Sequence, residues 1–374
     1  VKLKQYQAAV EAARKANSSK TWKEVCFACV EQEEYRLAQL CGLSIIVNAD
    51  DLEDVSEFYQ GRGKHEELIS LMEAGLGLER SHMGIFTELG ILYAKYKLDK
   101  LMEHLKLFSN KINIPKLIRT CETEKHWKPL AWLFCAYDEH DNAANVMMNH
   151  SDVAWEHTTF KDVAVKVSNA DLFYRMLDFY YSEHPTLLVD LLSVLSSRID
   201  HTRVVDLFRK KGELPLIKSY LVSVQTSNLS AVNEALNAIL IEEADFEGLR
   251  ESIETYDAYD AIGLAKQLEG HELLEFRRIS CLVYKKLKKY SASIKLSLEM
   301  GQTKDAMATV AVSGQPELAE ELLQKFVDTE AKEAFAALLF TCFDLLKPDL
   351  VMEKAWRAGW SDASMPYMIA TVRD

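Results

Sequence analysis

The stretch Phe86-Thr87-Glu88-Leu89-Gly90-Ile91-Leu92-Tyr93-Ala94-Lys95-Tyr96 decides the fold class. Phe86, Leu89, Leu92, Tyr93 and Tyr96 recur at three and four positions, so on a helix they share one stripe. A strand would place alternate residues on one face, and that alternation is absent over any useful length of the chain. The helical spacing returns almost everywhere. Short polar residues mark the starts, as in Asp50 before Leu52-Glu53-Asp54-Val55, and in Asn113-Ile114-Pro115, where proline suits a first turn. The expected helices run to roughly 10 to 15 residues. Tyr59 followed by Leu68, Tyr93 by Met102, Tyr137 by Val146 and Tyr284 by Ile294 suggest a recurring helix-turn-helix unit. Two short helices cannot bury both their apolar faces, so stacked neighbours must cover them. The architecture this predicts is all-α, a solenoid of stacked helical hairpins forming a rod.

Composition agrees with that reading. A chain of 374 residues exceeds the usual size of one compact core. Hydrophobic residues at 48% and charged residues at 27% carry no signature of disorder, while 14 Gly and 7 Pro are few for a turn-rich β fold. A net charge of −13 disfavours nucleic acid and anionic lipid as partners of the whole surface. The longest apolar stretch, Ala334 to Phe340 extended by Cys342 and Phe343, is about half the ~20 residues a bilayer requires, so no membrane insertion is expected. Val1-Lys2-Leu3-Lys4 leads into a helical pattern without a signal-peptide core and reads as cut from a longer chain. Seven cysteines, mostly among apolar neighbours, suggest reduced core thiols in the cytosol. In that compartment the triplets at Asn17, Asn149 and Asn228 would stay unglycosylated.

Candidate chemistry is thin. Cys26 and Cys29 form one C-x-x-C without the second pair a zinc site needs or the βαβ context of a redox motif. His150, Asp152 and His157, with Asn149 and Glu156 nearby, fit no standard metal-ligand spacing and read as loop residues. Gly61-Arg62-Gly63 and Gly75-Leu76-Gly77 lack a preceding strand and read as turns. No nucleophile elbow appears, so neither catalytic residues nor cofactors are expected. Lys95, Lys97 and Lys100, and the run Lys285-Lys286-Leu287-Lys288-Lys289, are solvated faces or docking sites for acidic segments.

The C-terminal sixth differs. Leu318, Leu322, Phe326 and Val327 form a normal stripe, but Ala334 to Phe343 is apolar nearly all round and must be buried on every side. With few repeats remaining to cover it, a second chain is the expected cover, through an interface resembling a cut core. The alternative is that Val351, Trp356, Trp360, Met365 and Tyr367 fold back and close the end.

Several strings resemble the clathrin heavy chains. They include Lys2-Leu3-Lys4-Gln5-Tyr6-Gln7-Ala8-Ala9-Val10, Thr21-Trp22-Lys23-Glu24-Val25-Cys26-Phe27, and Gly77-Leu78-Glu79-Arg80-Ser81-His82-Met83-Gly84-Ile85-Phe86. Further on come His271-Glu272-Leu273-Leu274-Glu275-Phe276-Arg277-Arg278-Ile279 and Leu339-Phe340-Thr341-Cys342-Phe343-Asp344-Leu345-Leu346. The resemblance implies an α-solenoid whose C-terminal helices join three legs into a triskelion. Triskelia build the polyhedral lattice on the cytoplasmic face of coated pits and coated vesicles, in endocytosis and intracellular trafficking. On this mapping residues 1–42 end one leg repeat, 43–189 and 190–335 are two more, and 319–374 are trimerisation helices overlapping the last. The family's N-terminal β-propeller and its C-terminal tail would lie outside this sequence. The trimer residues implied are Leu318, Leu322, Phe326, Phe335, Leu338, Leu339, Cys342, Phe343 and Trp356.

The resemblance also implies a clathrin light chain bound along the proximal leg, its acidic segment meeting basic heavy-chain residues. Lys95 matches one of these. At the second, where the family typically has lysine before proline, this sequence has His184-Pro185, which would make charge there partial and pH-dependent. The Lys285 to Lys289 run also departs from the family pattern. A helical-repeat adaptor that binds peptides without forming a lattice is the competing expectation.

Overall fold

The computed structural model describes residues 5–78 and 82–373. Two parts of the resembling strings, Lys2-Leu3-Lys4 and Glu79-Arg80-Ser81, lie outside these, as does the opening read as a cut end. The described residues form 26 α-helices with short 3₁₀ turns and no strand. None of these helices is long and apolar enough to cross a membrane. The fold is an α-solenoid of helical hairpins, and the chain divides into two compact units, Val1–Ser197 and Arg198–Asp374.

Within each unit a helix packs on the next and on the next but one. Ser19–Glu31 lies on Tyr35–Ile45, which in turn meets His65–Gly75; Met83–Tyr96 meets both Leu98–Leu107 and Ile114–Thr123. In the second unit Leu274–Lys286 packs between Ala261–Glu269 and Tyr290–Glu299, and also touches Phe246–Thr255. Each hairpin thus borrows its neighbours to bury its apolar face. Of the stripe that predicts this, Phe86, Leu89, Leu92 and Tyr93 are buried, whereas Tyr96, the last residue of its helix, is 44% exposed.

One turn geometry recurs. The backbone N–H of Lys64 donates to the Tyr59 carbonyl (3.0 Å), His126 to Cys121 (2.9 Å), Lys289 to Tyr284 (2.9 Å) and Ala331 to Phe326 (2.9 Å). Each bond closes a six-residue loop around one left-handed residue: Gly63, Lys125, Lys288 and Glu330 respectively. The arrangement satisfies the last helical carbonyls and starts the next helix one residue later. Tyr59 and Tyr284 therefore serve both as core side chains and as turn anchors. Tyr137 does neither. It is 48% exposed, and Phe134 accepts the equivalent bond, from Glu139, in its place.

At the C-terminal end of the second unit, Pro316–Asp328, Lys332–Thr341, Pro348–Ala358 and Ser361–Arg373 share one core. The Lys332–Thr341 helix packs on Thr303–Ser313, Pro316–Asp328 and Ser361–Arg373. Tyr367 pins the last helix by donating its hydroxyl to the Leu346 carbonyl at 2.8 Å.

Candidate functional site

Leu322, Phe326, Phe335, Leu338, Leu339 and Cys342, six of the residues expected in a trimer contact, are buried within this single chain. Their cover is Val351, Ala355 and Tyr367 from the two helices that follow. Phe335 meets the Trp360 ring edge-on at 5.4 Å, and Phe343 meets Tyr367 the same way at 5.0 Å. Leu318 and Phe343 are half-buried against the same core. The chain thus folds back over most of Ala334 to Phe343, with Val351, Trp360 and Tyr367 as the cap, and the expectation that the stretch is buried on every side is corrected at Phe340, which stays 69% exposed.

Trp356 is placed differently, at 79% exposure. One turn before it on Pro348–Ala358, Met352 is 60% exposed. On Ser361–Arg373, Met365, Ile369 and Val372 follow the same four-and-three spacing and are all exposed, as is Phe340 on Lys332–Thr341. Two helices that pack together thus each carry an apolar stripe facing solvent. Met365 belongs to this outward stripe rather than to the cap. Its i, i+4, i+7 spacing with Ile369 and Val372 is legible in the sequence; the direction the stripe faces is not.

Lys95 ends the Met83–Tyr96 helix, is exposed, and makes no ion pair among the described residues. Of the neighbouring lysines, Lys100 is committed to Glu73 at 2.8 Å, in a pair that also takes the Tyr93 hydroxyl. Tyr96 stacks on His65 with ring centroids 4.0 Å apart, a flat aromatic pair next to Lys95 in sequence.

His184 caps the Ala170–Glu183 helix, its N–H donating to the Tyr180 carbonyl at 2.8 Å. Its ring lies flat on Trp155, centroids 3.9 Å apart and planes 4° apart, with the Phe179 ring edge-on at 5.8 Å. Beside this stack, His157 lies between the Tyr180 hydroxyl (3.0 Å) and Asp190 (2.7 Å), and Lys161 donates to the same carboxylate at 2.6 Å. Lys161 first, then His157, holds the Asp190 carboxyl below the usual carboxylate range. Lys95 and His184 belong to one unit but end separate helices, and no interaction joins them. The His157–Asp190–Lys161 cluster has no local signature in the sequence, because its members are up to 33 residues apart.

The weaker motifs resolve structurally. His150 stacks on Trp127 at 3.7 Å while His157 is held by Asp190, so the two are not loop residues free in solvent. Among the described residues no three His, Cys, Asp or Glu side chains are placed to share a metal ion. Cys26 and Cys29 are fully buried, and burial pushes the Cys26 thiol up to about 12. Within the lysine run, Lys286 reaches back to the carbonyls of Ile253 (2.5 Å) and Glu254 (3.1 Å), tying off the Phe246–Thr255 helix.

The family model described as "Clathrin: Region in Clathrin and VPS" matches residues 43–188 and 192–334. Clathrin heavy chain 1 of Oryza sativa is 59% identical over 374 residues, all of this chain and 22% of the relative. Clathrin heavy chain 1 of Arabidopsis thaliana is 57% identical over the same span, again 22% of its length. Human clathrin heavy chain 2 is 52% identical across all of this chain and 23% of its own length. Among solved structures, one of Naa15/Naa10 bound to HypK-THB aligns with 97% of this chain and 62% of its own at 13% identity and a TM-score of 0.24, too loose to bear on the fold. The chain thus spans less than a quarter of the length of these curated relatives. With two copies of the repeat in tandem and more than half its residues identical to theirs, the chain belongs to the clathrin heavy-chain family.

Proposed function

We propose that this chain is a structural segment of a clathrin coat in the cytoplasm, acting by packing rather than catalysis. The observation that carries the reading is the set of exposed apolar side chains on the C-terminal helices: Phe340, Met352, Trp356, Met365, Ile369 and Val372. Solvated helices rarely expose large apolar side chains in such register; where they do, a protein partner is the usual occupant. Homotrimerisation of heavy chains through this surface gives it one. Leu318, Leu322, Phe326, Phe335, Leu338, Leu339, Cys342 and Phe343 then act from beneath, fixing the two helices that present it, while Trp356 is the contact itself. Along the first unit, exposed Lys95 and the ordered His184 ring suit a light-chain acidic segment.

The test is the absolute mass of the purified chain by light scattering across a concentration series, repeated with a light-chain fragment. A mass near three times 42.6 kDa, rising when the light chain is added, supports the reading. Trp356→Glu with Ile369→Glu should return the particle to a monomer that keeps its helicity. A wild-type monomer indifferent to the light chain would favour the adaptor reading, in which the repeats bind peptides and build no lattice.

A further inference from the structure

The lysine run at residues 285–289 divides into unlike parts. Lys286 is spent on helix carbonyls, and Lys288 and Lys289 are exposed. Lys285, half-buried and without an ion pair among the described residues, lines a cleft of about 200 Å³ in the second unit together with Arg250 and Arg278. The floor of the cleft carries Ser293, Ser297 and Thr309, each at most 4% exposed. We infer that this cleft binds a phosphate monoester.

Charge favours an anion. Three cations line the cleft; Asp305 and Glu275, which pair with Arg278 and Arg250, match two of them and leave one positive charge over in a chain whose net charge is −13. Donor capacity is also to hand. Arg278 uses Nε on Asp305 (3.1 Å) and Nη1 on Glu275 (3.2 Å), which leaves Nη2 for a ligand. Arg250 forms an ion pair with Glu275 at 4.0 Å, beyond hydrogen-bond range, so the donors of its planar fork stay open to a ligand. On the floor, Ser293 donates to the Cys281 carbonyl and Thr309 to that of Asp305. The Ser297 hydroxyl donates to the Cys281 sulfur at 3.4 Å and is fully buried, so the floor is polar but the ligand's donors come from Arg250, Arg278 and Lys285. The cleft has room for one tetrahedral oxyanion together with solvent.

The experiment titrates the chain with inorganic phosphate and, separately, with a short peptide carrying one phosphoserine, read by calorimetry. Saturable one-to-one binding of either supports the site; tighter binding of the peptide assigns it to a phosphorylated protein segment, and of the free ion to a small metabolite. Arg250→Ala and Lys285→Ala should each weaken binding about tenfold, the effect of losing one charge-assisted hydrogen bond. Lys288→Ala with Lys289→Ala should change it less than about twofold, since exposed charges contribute little. Thermal melts of all variants serve as the folding control, and Lys285→Gln stands in should the alanine variant melt early. Phosphoserine becomes a monoanion below about pH 6, so peptide affinity should fall as pH drops through that value. Absence of saturable binding by both probes, or equal weakening by the cleft and the Lys288/Lys289 variants, would overturn the site.

Discussion

At the scale of single residues, burial governs the cysteines and pairing governs the carboxylates. Cys26, Cys41 and Cys121 have their thiols pushed up to about 12 by burial, so little reactive thiolate exists at neutral pH. Cys135 is only half-buried. Brief alkylation at about pH 8 followed by mass spectrometry should therefore label Cys135 first and leave those three intact until denaturant is added. Early labelling of Cys26 would mean its helix opens far more readily than its packing implies. Asp190 behaves in the opposite sense. Its folded pKa is depressed by the Lys161 hydrogen bond and then by His157, so its contribution to stability is present above the unfolded value. That contribution is lost as pH falls through the folded value. Asp190→Asn should cost a few tenths to about 1 kcal/mol at neutral pH, modest because the carboxylate is half-exposed. The cost should shrink as pH falls below the ordinary carboxylate value of about 4, as denaturation curves at neutral and acid pH would show. A constant difference would mean that the amide is lost for packing reasons, not charge.

At the scale of elements, the C-terminal helices separate two roles that look alike in sequence. Phe335 and Trp356 are both large aromatics near the end of the chain, yet Phe335 is fully buried and Trp356 is 79% exposed. Phe335→Ala should destabilise the second unit by about 3–5 kcal/mol through the cavity it leaves. Trp356→Ala should leave the melting transition nearly unchanged while weakening self-association. Equal losses of stability would mean that Trp356 packs in the isolated chain after all. The same contrast shows what the sequence discloses. Helix periodicity is a local property, so the stripe through Phe86, Leu89 and Leu92 and the all-helical class could be read directly. The turns were harder, because Lys125, Lys288 and Glu330 hold the left-handed position where glycine would have announced it. The cover over Ala334 to Phe343 was not legible. An all-round apolar helix states that it is buried, and nothing in its own composition states by which chain. His157 and Asp190 stayed hidden for a related reason: stacking hairpins brings them together, and no spacing rule links one hairpin to the next.

At the scale of the whole molecule, the net charge of −13 constrains how an acidic partner segment can be received. Beyond the Debye length, about 8 Å at physiological salt, the chain's own charge is screened, so docking depends on local cations. Lys95 supplies one such charge, and the His184 ring is fixed in place by its stack on Trp155. His184→Lys adds a second cation and should raise the affinity of a light-chain acidic segment docked here by up to about fivefold, the ceiling for one exposed pair. Lys95→Ala should weaken it. Fluorescence anisotropy of a labelled light-chain peptide with all three chains distinguishes the contributions. An affinity that His184→Lys leaves unchanged would remove His184 from the contact and leave Lys95 to carry it.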